Sequence, residues 1–394
     1  MVRARGGDRV LLLRDTQGIA EDHVALPLPI APIVGRFDGT MTCAEIARQV
    51  SLELGEEVPA ALVADLASDL EARLFCHGPA FNAAKRKAAR TFERAPVRPP
   101  SHAGGAYHAE SRMLVEYIDR SCLGQATPAR RRSDAKLVGL VAPHIDPWRG
   151  AVGYGHAYGE LRRALPERTR TFVLLGTSHA PMKQPFAICP KAFDTPLGAL
   201  PCHTEATKHL AERARFDVHE DLMNHKREHS LEFQAVFLKH LLGEREARIV
   251  PILAGLGAAQ TTGRHPDRDE TVRAFLDELA ELVAREDAVV ICGADLAHVG
   301  PRFGDPRPLD EDGRDALARR DKESLALAAK VDDGDFFAHV HEDLDRRRVC
   351  GLGPMFSLLR TMPDGARGEV IHYEQNVDPD EGSIVSFAAM GFYQ

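Results

Sequence analysis

From about residue 137 onward, polar stretches alternate with four short apolar runs: KLVGLVAPH, RTFVLLGTSH, ARIVPILAG and DAVVICGADLAH. Each is rich in Leu or β-branched residues and lacks the polar alternate positions of a half-exposed strand, which is the pattern of a strand buried on both faces. The intervening segments, among them GHAYGELRRAL, LEFQAVFLKHLL and DETVRAFLDELAELVARE, carry apolar residues at helical spacing. This alternation predicts an α/β domain, a mainly parallel sheet with helices on both faces. The tail segments GEVIHYEQNV and GSIVSFAAMGFYQ are expected to add strands at an edge.

Upstream the pattern changes. VLLLRD reads as a strand, and three helical segments follow: one around Ile30 to Phe37, one opened by Thr42, and PAALVADLASDLEARLF. Thr42 with Glu45 three residues later fits a capping box, and Pro59 stands where the third helix would begin. With the closing LFCHGPAF, residues 1–82 suggest a small winged-helix-like α+β module, or a plain three-helix packing unit. Residues 83–102 are basic and then rich in Pro, a linker by composition. Residues 103–394 form the main domain, entered through an amphipathic helix in AYHAESRMLVEYIDRSCL.

Composition narrows the function. A chain of 394 residues with a formal charge of −8 offers no global attraction for phosphate backbones or anionic lipids, so neither nucleic acid nor a membrane surface is expected as a partner. No apolar run is long enough for a spanning helix, and the start is too weakly apolar for a signal peptide, which predicts a cytoplasmic protein. The seven cysteines are scattered, odd in number and without a CxxC pair, which argues against a disulfide framework or a zinc knuckle. No strand is followed by a GxGxxG phosphate loop.

Candidate chemistry collects where the strands end, since open parallel sheets bind ligands beyond their carboxyl ends. Three of the four runs deliver a histidine there: His144, His179 and His298. Imidazoles with one anion suit a divalent transition metal with open positions for oxygen and substrate. Asp146, Asp295, Glu228, Glu232 and Cys350 are the candidate anions. Cys350 follows Arg346, Arg347 and Arg348 and precedes a helix expected to start near Gly353 or Pro354; both features favour a thiolate, an inert buried thiol being the other reading. Asp295 and His298 can act as an acid/base pair, or Asp295 can cap a turn. Glu228 and His229 can line the pocket while Ser230 caps the following helix. His156 and His240 fall inside expected helices as structural residues, and the Cys202–His203 neighbours are a weak metal signal.

With these residues the sequence resembles the MEMO family, known in bacteria as AmmeMemoRadiSam system protein B, whose fold is similar to class III extradiol dioxygenases. The segments that carry the likeness are AGGAYHAES, VAPHIDPWRG, LLGTSHAP, EHSLEF, GADLAHVG and RVCGLGP, in the family's order over about residues 100–394. The resemblance implies a metal held by His144, His179 and Cys350, with Asp295, His298 and His229 around it in catalytic roles. It points to Fe(II) first, copper next and zinc behind them, and to redox activity. HIDPWRG stands where many members read HAGYxYSG, and a thiolate replaces the Glu of the dioxygenases. Two other readings are a non-catalytic module that holds a peptide or phosphorylated ligand in the same cleft, and a zinc hydrolase. The substrate is expected to be a small molecule or peptide, with residues 1–82 as a surface for a protein or peptide partner.

Overall fold

The computed structural model describes residues 2, 3, 9–20, 22–126, 135–257, 259–342 and 344–394. The chain divides into two compact units, Met1–Ala95 and Pro96–Gln394.

In the first unit the strands come before the helices. β1 (Val2–Arg3), β2 (Arg9–Leu13) and β3 (Val24–Pro27) form an antiparallel sheet in that order. α1 (Ala31–Val34), α2 (Cys43–Leu54) and α3 (Ala60–Ala72) follow. The Thr42–Glu45 capping box is present in full, and Ile33, Ile46, Ala47, Val50 and Val63 close a small core. No strand follows α3 directly. Instead α4 (Pro79–Arg94) occupies much of the segment expected to be a linker. Its Ala, Lys and Arg residues are strong helix formers and Pro79 sits in its first turn. A basic, Ala-rich composition marked a solvated helix rather than a coil.

The second unit is built on one eight-stranded sheet. Its elements run β4 (Val97–Arg98), α5 (Ser111–Tyr117), β5 (Leu137–Ala142), α6 (Pro147–Ala164), β6 (Thr171–Gly176), β7 (Phe186–Ile188), β8 (Ala192–Phe193), α7 (Thr204–Arg213), α8 (His229–Leu242), β9 (Arg248–Ala254), α9 (Ala259–Thr262), α10 (Glu270–Arg285), β10 (Val289–Gly293), β11 (Asp295–Val299), α11 (Glu311–Ala329), α12 (Asp333–His341), α13 (Leu352–Thr361), β12 (Arg367–Val377) and β13 (Ile384–Tyr393). The strand order is β11-β13-β5-β10-β6-β9-β7, with β12 on β13 and β4 paired to β8 outside the sheet. The four apolar runs form its parallel centre, β5, β10, β6 and β9.

Alternate residues of the central strands face opposite layers. Val173, Leu175, Val290 and Cys292 join α10 and α13 in one large core. On the other face α6 and α8 pack together, with Tyr154 stacked on Phe237 at 4.4 Å.

Two expectations are corrected. β13 is not at an edge: all ten of its residues are buried, between β5 on one side and β11 and β12 on the other. Its IVSFAAMGFY run is apolar at nearly every position, Ser386 being the clear exception, and that is the signature of an interior strand. The GADLAH segment does not simply leave the sheet either, because the chain re-enters as β11, antiparallel to β13.

Candidate metal centre

The strand order places β5, β10 and β6 side by side and parallel, so their carboxyl ends share one edge. His144 lies two residues beyond β5 and His179 three beyond β6. His229 comes from elsewhere, as the first residue of α8. Two glycines let that helix end approach the strands. A Cβ on Gly293 would lie 2.3 Å from the Ser230 carbonyl oxygen, and one on Gly176 would lie 2.5 Å from Ser230 Oγ. Ser230 Oγ then donates to the Thr177 carbonyl at 2.7 Å.

The result is a trio in which one ring nitrogen from each of His144, His179 and His229 lies within 4.8 Å of the others. His144 meets the other two rings nearly edge-on at 5.2 and 5.4 Å, while His179 and His229 stack at 4.4 Å. The site is closed on one side and open on the other: the His144 side chain is 2% exposed, that of His229 28% and that of His179 36%.

Two of the three rings are oriented from behind. His144 Nδ1 lies 2.9 Å from the Gly293 carbonyl oxygen, so Nδ1 carries the proton it donates and Nε2 is the edge turned toward Cys350. Its backbone N–H donates to Asp295 Oδ1 at 2.8 Å. Glu228 caps α8 through the Ser230 N–H and accepts both the backbone N–H of His179, at 2.8 Å, and His179 Nδ1, at 2.9 Å. Burial by itself would raise the Glu228 carboxyl, but His179, His229 and the amide donor hold it far below the ordinary carboxylate range. Burial likewise opposes charge on His179, and the Glu228 carboxylate outweighs it, leaving that ring above its usual 6.5. His229 goes the other way: burial first, then the neighbouring His179, His144 and His102, push it well below 6.5 despite Glu228.

Cys350 reaches the same place. Its Sγ is 3.2 Å from His144 Nε2 and 3.7 Å from the Asp295 carbonyl oxygen. Two of the three preceding arginines, Arg347 and Arg348, do not act as expected. Arg347 turns inward to Asp321, and Arg348 pairs with Asp305 at 2.7 Å. What the sulfur senses is burial and the carboxylates of Asp295, Glu228 and Asp345, which raise the thiol well above its ordinary value.

The cysteine loop is nevertheless firmly held. Leu344, Asp345 and Arg348 all adopt positive φ, which non-glycine residues take only when surroundings over-determine them. The buried Asp321 accepts from Arg347 at 2.8 Å, Ser386 at 2.6 Å and Tyr373 at 3.0 Å. Ser386 Oγ accepts the Ala297 N–H, and the Arg347 carbonyl accepts the His298 N–H. One carboxylate thus ties the Cys350 loop to β11. Thr177 Oγ1 donates to the Cys350 carbonyl at 2.8 Å, binding the loop to the exit of β6 as well.

The remaining candidates fall into place around the trio. His298 is outside it; its Nδ1 faces the Leu296 carbonyl at 3.2 Å, its ring meets Phe303 edge-on at 5.1 Å, and burial lowers its pKa. Asp146 caps α6 and pairs with Arg149. Glu232 is a buried partner of Arg98, Ser101, His102 and Tyr107. Glu228, not Ser230, is the cap of α8. Asp321 and the Gly293 carbonyl went unnoticed in the sequence. Gly293 carried a signal, since a glycine closing a buried strand marks close backbone approach; Asp321, in the polar EDGRDALARRDKES stretch, carried none.

Three imidazoles whose ring nitrogens converge, with a thiol alongside, form a donor set that fits a transition metal such as iron, copper or zinc, and not calcium or magnesium. Fold and site together define an α/β protein whose carboxyl-edge histidine trio can hold a metal ion. Residues 98–391 match the family model described as Memo-like protein, and the chain belongs to that family. A MEMO1 family protein of Aquifex aeolicus is 26% identical over 395 residues, covering 98% of this chain and 96% of its own length. One from Thermus thermophilus is 29% identical over 347 residues, covering 87% and 97%. Another, from Thermococcus onnurineus, is 30% identical over 314 residues, covering 75% and 99%. The Aquifex match takes in nearly all of the first unit, which lies outside the family model.

Proposed function

We propose that this protein is a metal-dependent redox enzyme in which His144 and His179 hold a single iron or copper ion together with Cys350 and His229. The observation that carries the reading is the 3.2 Å approach of Cys350 Sγ to His144 Nε2 within the histidine trio. A mixed nitrogen and sulfur set favours Fe(II) or copper. When bound, such an ion supplies electron transfer and a Lewis-acidic seat for a small molecule at its open positions.

The chain's own residues prepare that seat. The Gly293 carbonyl and the Glu228 carboxylate fix the proton-bearing edges of His144 and His179 and turn the other edges inward. As a ligand Cys350 would bind as the thiolate, so metal uptake would release a proton and weaken in acid. His298, kept neutral by burial beside the Asp295 carboxylate, is placed to receive a proton. The exposed edge of His179 is the side from which substrate enters. The parallel sheet with histidines at its strand ends supports the likeness to class III extradiol dioxygenases, with a thiol where those enzymes carry a Glu.

A zinc hydrolase is the second reading, favoured by the presence of three imidazoles at a site with an open edge. Anaerobic purification with elemental analysis separates the two, followed by spectroscopy of the wild type beside Cys350→Ser. Stoichiometric iron or copper, with a sulfur-to-metal absorption lost in Cys350→Ser, is the expected result. Zinc alone, with no oxygen consumption, would overturn the redox reading.

A further inference from the structure

The opposite end of the sheet holds a second concavity, of about 600 Å³, which reaches the first residues of β6 and β9, Thr171 and Arg248. The His179 site lies past the other end of β6, so a strand of six residues, roughly 20 Å, separates the two places. The volume is within the range of small-molecule pockets.

Four cations line it: Arg170, Lys239, Arg245 and Arg248. Among the described residues none of them has a carboxylate within ion-pair distance. Arg245 Nη2 donates to the carbonyls of Pro166, Glu167 and Thr169 at 2.6–2.7 Å, and its Nε is buried without a partner. Arg170 Nη1 donates to two of the same carbonyls, at 2.6 and 3.2 Å. Two guanidinium groups therefore converge on one turn of backbone. Burial and then the charge of Arg170 both lower the Arg245 pKa, and Glu167 offsets them only in part. Lys239 donates to the Gly243 carbonyl, and the Arg248 side chain makes no hydrogen bond or ion pair among the described residues.

Acidic groups are present without cancelling this charge. Glu286 is engaged by His203 and Arg285, at 3.2 and 3.4 Å. Glu244 and Glu246 line the rim but pair with none of the four cations. Ala199, Leu200, Pro201 and Ala247 supply an apolar wall beside the cations.

We propose that this cavity is a binding site for a phosphomonoester, a small organic molecule whose phosphate bridges Arg170 and Arg245 while its carbon skeleton lies against the apolar wall. A guanidinium presents paired N–H groups that match phosphate oxygens, and two of them left side by side without a carboxylate are most stable with a dianion between them. Arg248 and Lys239 add charge at the mouth. A phosphate dianion gains about twice the attraction of a single carboxylate from these cations, whereas Glu244 and Glu246 oppose any anion and leave weakly charged ones unbound.

The test is isothermal titration of the full chain with AMP, adenosine, inorganic phosphate and succinate. AMP is expected to bind saturably, adenosine to give no heat, and phosphate and succinate to bind more weakly than AMP. The Arg170→Gln/Arg248→Gln protein, altered only at exposed side chains, should melt at the wild-type temperature and bind AMP at least about tenfold more weakly. The His144→Ala protein should bind AMP as the wild type does, which keeps this result separate from any failure at the histidine trio. Absence of heat from AMP at millimolar concentration, AMP binding unchanged in the double variant, or phosphate or succinate binding as tightly as AMP would each overturn the proposal.

Discussion

Glu228 and Glu232 stand one helical turn apart at the start of α8, both buried, and they do different work. Around Glu232 every donor is a fixed part of the fold: Arg98, the Ser101 N–H and hydroxyl, the His102 N–H and the Tyr107 hydroxyl all converge on its two oxygens. Those donors hold it well below the ordinary carboxylate range although burial pushes the other way. Nothing there is left over for a ligand. Glu228 also satisfies itself, but on the back of a ring whose front nitrogen is uncommitted. A buried polar cluster that closes on itself builds structure, and one that leaves lone pairs pointing into an opening builds a site.

Removing a partner from the closed cluster should have the largest effect. Arg98→Ala would leave the Glu232 carboxylate buried without its cation, and we expect about 3–5 kcal/mol loss of stability by urea unfolding. His144→Ala should instead spare stability by comparison and abolish stoichiometric metal, read by elemental analysis; a fully loaded His144→Ala protein would refute the assignment of the open cluster. Glu228→Gln keeps the shape but weakens its hold on His179. Metal affinity should fall about 10–100-fold in competition with a chelator, whereas Glu232→Gln should leave affinity near wild type and lower the melting temperature.

The smallest effect concerns pH in the metal-free protein. His179 has a raised folded pKa, so its contribution is complete below 6.5 and lost as pH rises through the higher folded value. His229 has a depressed one, so its contribution is present above 6.5 and lost as pH falls toward the folded value. His179→Gln should therefore cost more stability at pH 5.5 than at 8.5, and His229→Gln should make the protein less sensitive to acid. Identical pH dependence in both variants would contradict the opposed environments described above.

The parallel centre of the sheet was legible because buried strands are apolar on both sides and their helices keep a separate period. β13 had the same signature, but its position at the chain's end disguised an interior strand as an edge. α4 was hidden by composition, since a basic, Ala-rich run suits a solvated helix as well as a linker. Cys350 illustrates a different limit. Three arginines beside a cysteine suggest a lowered thiol pKa, yet adjacency along the chain does not set side-chain direction, and Arg347 and Arg348 are claimed by Asp321 and Asp305. His229 was recognisable as a pocket residue, but its membership of the trio depended on how closely α8 approaches β10.

By itself the sequence determined the α/β class, the strands that end in His144 and His179, and the chemical kinds of group available to them, because burial period and residue type are local properties. Tertiary structure alone decided that His229 and Cys350 meet those two rings, that Arg347 and Arg348 leave the sulfur, and that cations without carboxylate partners gather at the far end of the sheet. Those outcomes depend on distances of a few ångströms between segments remote along the chain, where electrostatics and hydrogen bonding change sign or vanish with small displacements, and no periodicity encodes them.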